Sequence, residues 1–121
     1  MDKNIKKILI TGSSGTIGTR LFEKLIENGY DVIGFDRNLN IWNSHLNKLT
    51  VIGDLLKKED INRLSRDFDL IIHLAANARV YDLVLLPDLA LENIVTTYNI
   101  LEFARKNDIR NFIFSSSRET Y

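Results

Sequence analysis

KKILITGSSGTIG, residues 6–18, is the stretch whose reading decides the fold. Residues 6–11 form a short apolar run that stops at Gly12, the signature of a buried strand. From Thr16 the pattern becomes helical: Ile17, Leu21 and Leu25, with Phe22 and Ile26, fall on one face, and Gly29 ends it. Between strand and helix, Gly12 allows a tight turn with positive φ. Gly15 allows close approach of backbone to a ligand, and Gly18 lets the helix pack near the sheet. The unpaired N–H groups that open such a helix form a ready site for a pyrophosphate. The alternative is an ordinary turn with convenient glycines. Lys and Ser/Thr do not follow the last glycine, so a phosphate loop of the NTPase type is disfavoured.

Working outward, strands are expected at 30–36, 49–54, 69–76 and 111–117, with helices at 57–68 and from Pro87 and Asp88 to about Asn107. Residues 37–48 read as loop or a short weak helix, and 77–86 carry no clear pattern. The 57–68 helix should turn Ile61 and Leu64 inward. The last helix has apolar residues around most of its circumference, which implies burial on more than one side. Strand and helix alternate, so the fold class is α/β: a doubly wound parallel sheet of the Rossmann kind, for which analogy gives five strands in order 3-2-1-4-5. Ligands of such sheets sit beyond the carboxyl ends of the strands, where strands one and four part.

Composition agrees with one soluble domain over residues 1–121. Hydrophobic residues are 45% and charged residues 26%, and 16 Lys plus Arg balance 16 Asp plus Glu. A neutral chain offers no broad field for nucleic acid or an anionic membrane. There are no cysteines, which excludes disulfides, thiolate metal sites and Cys nucleophiles. The two histidines lack paired spacing, so no metal site is supported. His73, inside an apolar strand, reads as a hydrogen-bonded core residue, and His45 and Trp42 are assigned no role. With no signal peptide or membrane span, a cytoplasmic location is expected.

Asp36 ends the second strand, eighteen residues past Gly18. A carboxylate there can accept both hydroxyls of an adenosine ribose and repel a 2′-phosphate, which favours NAD over NADP. Arg37 beside it can lie over adenine or meet a phosphate. The alternative for Asp36 is a solvated charge at a strand end.

GxxGxxG at 12–18, Asp36, Gly53-Asp54-Leu55, His73-Leu74-Ala75-Ala76, Asn93 and Ser115-Ser116-Ser117 together resemble the extended short-chain dehydrogenases/reductases. Within these the sequence is most similar to the NAD-dependent sugar-nucleotide epimerase/dehydratase family, of the UDP-glucose 4-epimerase type. The resemblance implies NAD as cofactor, with Gly12, Gly15, Thr16, Ile17 and Gly18 at its phosphates. Asp54 would bond the adenine amino group with Leu55 beside the ring. Leu74, Ala75 and Ala76 would lie under the pyrophosphate and nicotinamide ribose, with Asn93 touching the cofactor region and Ser115 nearby. Ser117 would be the catalytic-type serine and Tyr121 a conformational residue. Gly53-Asp54 can also be read as a strand-to-helix turn with Asp as cap, and Ser115–Ser117 as capping groups.

The family's chemistry uses a Tyr-x-x-x-Lys pair: the Tyr takes a sugar hydroxyl proton while hydride passes to the nicotinamide, and Lys lowers the Tyr pKa. None of Tyr30, Tyr81, Tyr98 and Tyr121 has Lys at that spacing. Arg118-Glu119 stand where some dehydratases carry Asp-Glu, so dehydration fits less well than epimerisation or decarboxylation. The chain is therefore expected to be the NAD-binding portion of such an enzyme, truncated before strand six, with a nucleotide-sugar substrate only in a full-length form. A non-catalytic dinucleotide sensor and a shortened folding scaffold remain as alternatives. Truncation would expose strand five and part of the 88–107 helix and favour self-association.

Overall fold

The computed structural model describes residues 5–75 and 87–115. Five parallel strands form one sheet in the order β3-β2-β1-β4-β5. They are β1 Lys7–Thr11, β2 Asp31–Asp36, β3 Thr50–Ile52, β4 Leu70–His73 and β5 Asn111–Phe114. The helices are α1 Thr16–Glu27, α2 Lys58–Ile61 and α3 Pro87–Lys106, with a 3₁₀ turn at Ser44–Leu49. The expected order and elements are thus present, with the strands shorter at their ends.

Alternation along the central strands divides the core into two layers. Ile8 and Ile10 of β1, Val32 of β2, and Leu70 and Ile72 of β4 meet Phe22 and Leu25 of α1 on one face. Leu9, Phe35 and Ile71 face the other way, onto Leu55, Ile61, Leu64, Phe68 and the α3 residues Ile100, Phe103 and Ala104. Register is pinned at the entry to β4, where the Asp69 carboxylate accepts the N–H groups of Lys6 and Lys7, each at 2.9 Å. Those two donors hold its carboxyl below the ordinary value.

Three expectations are corrected. The 57–68 helix is helical only over Lys58–Ile61, although Ile61 and Leu64 are both buried as expected. Helical bonding stops because the backbone bonds that follow are three-residue ones, from Arg63 N to Asp60 O and from Leu64 N to Ile61 O. In α1 the inward face is Gly18, Thr19, Phe22 and Leu25, whereas Ile17 is 72% exposed and Ile26 lies at the edge. Helix α3 is buried on one side only. Leu91, Ile94, Val95, Tyr98 and Leu101 recur at helical spacing on its exposed side. Among the described residues β5 pairs with β4 alone, with Ile113 and Phe114 about half exposed.

His73 ties the core to the sheet end. It is 1% exposed. Its Nδ1 lies 2.6 Å from the Thr11 hydroxyl and its Nε2 lies 3.1 Å from that of Thr97 on α3. The Thr11 oxygen also accepts the N–H groups of Leu74 and Ala75. Its own proton is therefore free to go to Nδ1, which leaves Nε2–H to donate to Thr97. The sequence reading of His73 as a bonded core residue holds.

Burial pushes the His73 pKa down from 6.5 to about 4. Below pH 6.5 the unfolded chain takes up a proton that the folded chain refuses, so stability falls as pH drops through this window. The predicted loss between pH 6.5 and 4 is about 3 kcal/mol. Denaturant midpoints measured against pH check it, and His73→Gln should flatten the profile there. The loss from Asp69 lies at lower pH, below its ordinary 3.8.

Candidate functional site

The site is built where β1 gives way to α1. Gly12 has φ of 72° and donates its N–H to Phe35 O of β2. A Cβ on Gly12 would lie 2.7 Å from Ala75 N and 2.8 Å from the Leu74 carbonyl carbon, so the turn passes directly against the end of β4. A Cβ on Gly18 would drive into the Gly12 carbonyl oxygen, which is why the first turn of α1 can sit so close to β1. The helix opens on Gly15 with no capping side chain and no acidic residue in its first turn. Among the described residues, no acceptor is assigned to the backbone N–H groups of Thr16, Ile17 and Gly18. The positive end of the helix is thus left uncompensated by the chain itself.

Asp36, the last residue of β2, faces this turn. One carboxylate oxygen accepts from Ser14 N–H at 3.0 Å and the other from Asn38 N–H at 2.9 Å. The Ser14 hydroxyl donates to Asn38 O. The next strand end supplies Gly53 and Asp54. An Asp54 oxygen accepts from Leu56 N–H, and Asp54 N–H donates to Asp60. This is a side-chain turn rather than a cap on α2, whose preceding residue is Lys57.

These elements enclose a cavity of about 300 Å³ at the carboxyl ends of the strands, the place that the topology favours for ligands. Nine of the sequence-derived candidates line it: Gly12, Gly15, Asp36, Arg37, Asp54, Leu55, Leu74, Ala75 and Asn93. Thr16, Ile17 and Gly18 lie outside its lining, at the start of α1, where Gly18 serves packing. Ser115 follows β5 and donates its N–H to His73 O, away from the cavity wall. Ala76 and Ser117, with Tyr121, lie outside the described residues.

Sequence reasoning passed over Ser14, Phe35, Asn38, Leu56, Glu92 and Thr96, which also line the cavity. Glu92 and Thr96 were within reach, since they flank Asn93 one and three residues away on the same helix. Asn38 and Ser14 were not, because only the fold brings the post-β2 loop onto the glycine turn. Among the described residues there is no cluster of His, Asp or Glu able to hold a metal ion, and no helix long and apolar enough to cross a membrane.

Residues 8–121 match the model of the NAD dependent epimerase/dehydratase family. The chain belongs to this family. It is 39% identical over 115 residues to a putative UDP-glucose 4-epimerase of Methanocaldococcus jannaschii, covering 91% of this chain and 37% of that protein. Among solved structures it is similar to the Thermus thermophilus UDP-glucose 4-epimerase in complex with NAD, with a TM-score of 0.81 at 29% identity. It is also similar to the Thermotoga maritima UDP-glucose 4-epimerase with UDP-glucose, with a TM-score of 0.82 at 33% identity. Each alignment covers 91% of this chain and 37% of the solved one. The chain thus spans well under half the length of these relatives.

The family implies NAD, and the residues present fit it. The glycine turn leaves room for a phosphate against bare backbone, the helix start offers unclaimed donors, and an acid stands opposite. Gly12→Ala should cost about 2 kcal/mol or more, since its left-handed backbone and the contact with Ala75 both oppose a methyl group. Chemical denaturation of the variant against the parent measures that loss.

Proposed function

We propose that this chain is the NAD-binding portion of a nucleotide-sugar epimerase-type oxidoreductase. The observation that carries the reading is the Asp36 carboxylate, held by Ser14 N–H at 3.0 Å across from the uncapped start of α1. Family membership supports this reading over a non-catalytic sensor. Bound NAD supplies a nicotinamide that accepts hydride from a sugar carbon and returns it.

The chain's own residues hold the cofactor in this proposal. The N–H groups at the start of α1 bond the pyrophosphate, and Gly12 and Gly15 admit it against the backbone. Asp36 accepts the adenosine ribose hydroxyls, and Arg37 lies at the adenine edge. Asp54 bonds the adenine amino group, with Leu55 beside the ring. Leu74, Ala75 and Asn93 continue the cavity lining toward the nicotinamide ribose, where the family resemblance also assigns Ala76 and Ser115. Ser117 bonds the reacting sugar oxygen in a full-length form that also supplies the Tyr and Lys partners. The cavity lies at the small end of the range for small-molecule sites, which suits the adenosine half of the cofactor.

An NAD titration followed by amide NMR should move the signals of Gly12–Gly18 and Asp36. Shifts confined elsewhere would contradict the assignment. NADP should bind more weakly, because its 2′-phosphate meets the Asp36 carboxylate, and equal or tighter binding would overturn that argument. Asp36→Ala should weaken NAD binding about tenfold or more, the usual worth of a charge-assisted hydrogen bond pair.

We also propose that the α3 stripe and the β5 edge meet a second copy of the chain. Leu91, Ile94, Tyr98, Leu101, Ile113 and Phe114 support this, since they are exposed apolar side chains on α3 and on β5, the last strand of the sheet among the described residues. Sedimentation velocity over rising concentration should show association, and Ile94→Glu with Leu101→Glu should reduce it.

A further inference from the structure

We infer that Asn40 and Thr19 are positioning residues that orient the glycine turn toward Asp36, an inference that rests on the NAD reading above. Asn40 lies in the loop after β2, yet it is 4% exposed. Its side chain uses all of its bonding capacity. The Oδ1 accepts from the N–H groups of Trp42 and Asn43, each at 2.9 Å. The Nδ2 donates to the Thr19 hydroxyl at 2.9 Å and to Ser13 O at 3.4 Å. The acceptor side must face Trp42 and Asn43, so the amide orientation is fixed and the donors face the turn.

The Thr19 hydroxyl, accepting from Asn40, spends its own proton on Gly15 O at 2.7 Å. An amide-to-hydroxyl relay therefore runs from the loop through α1 to the turn. Its effect follows from peptide planarity, because a trans peptide points its C=O and N–H in opposite directions. With Ser13 C=O drawn inward by Asn40, Ser14 N–H is turned outward onto the Asp36 carboxylate. Gly15 C=O accepts the helical bond from Thr19 N–H at 2.9 Å and the Thr19 hydroxyl beside it, so Thr16 N–H points out of the helix start. The Ser13–Ser14 peptide, which reaches the cofactor cavity at Ser14, thus takes its polarity from Asn40, whose donor is seated by the Thr19 hydroxyl. Neither Asn40 nor Thr19 lines that cavity, so both act through the turn and not by contact.

Three variants test this. Asn40→Asp keeps the acceptor half of the side chain and puts an oxygen where the donors were. Thr19→Val removes the hydroxyl, and Thr19→Ser restores it. In the ligand-free chain, hydrogen exchange at Ser14 N–H should accelerate about tenfold in Asn40→Asp and Thr19→Val, relative to Ile8–Ile10 of β1 as internal reference. Thr19→Ser should keep the parental rate. With NAD, the first two should bind about tenfold more weakly and lose preference over NADP, while Thr19→Ser stays near the parent. Unchanged Ser14 exchange in both damaging variants would overturn the inference, as would parental NAD affinity and preference. If the parent itself binds no NAD, the functional reading fails, and Ser14 exchange alone then judges the relay. Should Asn40→Asp fail to fold, the Val and Ser pair at Thr19 decides.

Discussion

The constraint on which the structure depends is the close passage of the glycine turn against the end of β4. Gly12 can lie there because its backbone takes a left-handed conformation and because no side chain intrudes on Leu74 and Ala75. Gly18 extends the same constraint into α1, whose first turn rests on the Gly12 carbonyl. A side chain at either position would push α1 away from the sheet and open the Phe22 and Leu25 layer. The same backbone also forms the wall of the cavity. Packing and ligand access are therefore set by one turn, so a change there affects both stability and binding.

Around that turn the chain has arranged its polar groups in two tiers. The outer tier faces the cavity: Asp36, Ser14 N–H and the helix start. The inner tier is buried and satisfied within the protein: Asn40 and Thr19 on one side, and Thr11 and His73 on the other. Buried polar groups are costly when unpaired and rigid when fully paired. The inner tier thus keeps the outer one from relaxing onto itself. His73 belongs wholly to this tier, and its depressed pKa reflects burial and not chemistry.

Much of this was legible in the residues. The alternation of apolar runs and amphipathic segments sufficed for five parallel strands joined by right-handed crossovers, while their order came from analogy with doubly wound sheets. The glycine spacing and the acid at the end of β2 pointed to residues that line the candidate cavity, since both depend on local backbone and strand ends. What was not legible depended on contacts distant in sequence. The 57–68 segment has a helical pattern, but the chain bends away after Ile61 while still burying Leu64 and Phe68. Ile17 fits the apolar face of α1 by spacing, yet the close approach of Gly18 turns that face by one residue. Asn40 gave no signal at all in a polar stretch, because its partners Ser13 and Thr19 lie more than twenty residues away.

In the proposed complex, adenine dinucleotide binds with its ribose at Asp36 and its phosphates at the start of α1. Intermolecular NOEs between bound NAD and the isotope-labelled chain test it most directly. Contacts are expected from the adenosine ribose protons to Asp36 and Asn38, and from the adenine proton to Leu55. Contacts from the adenosine half to β5 or to the outer face of α3, with none at Asp36, would contradict it.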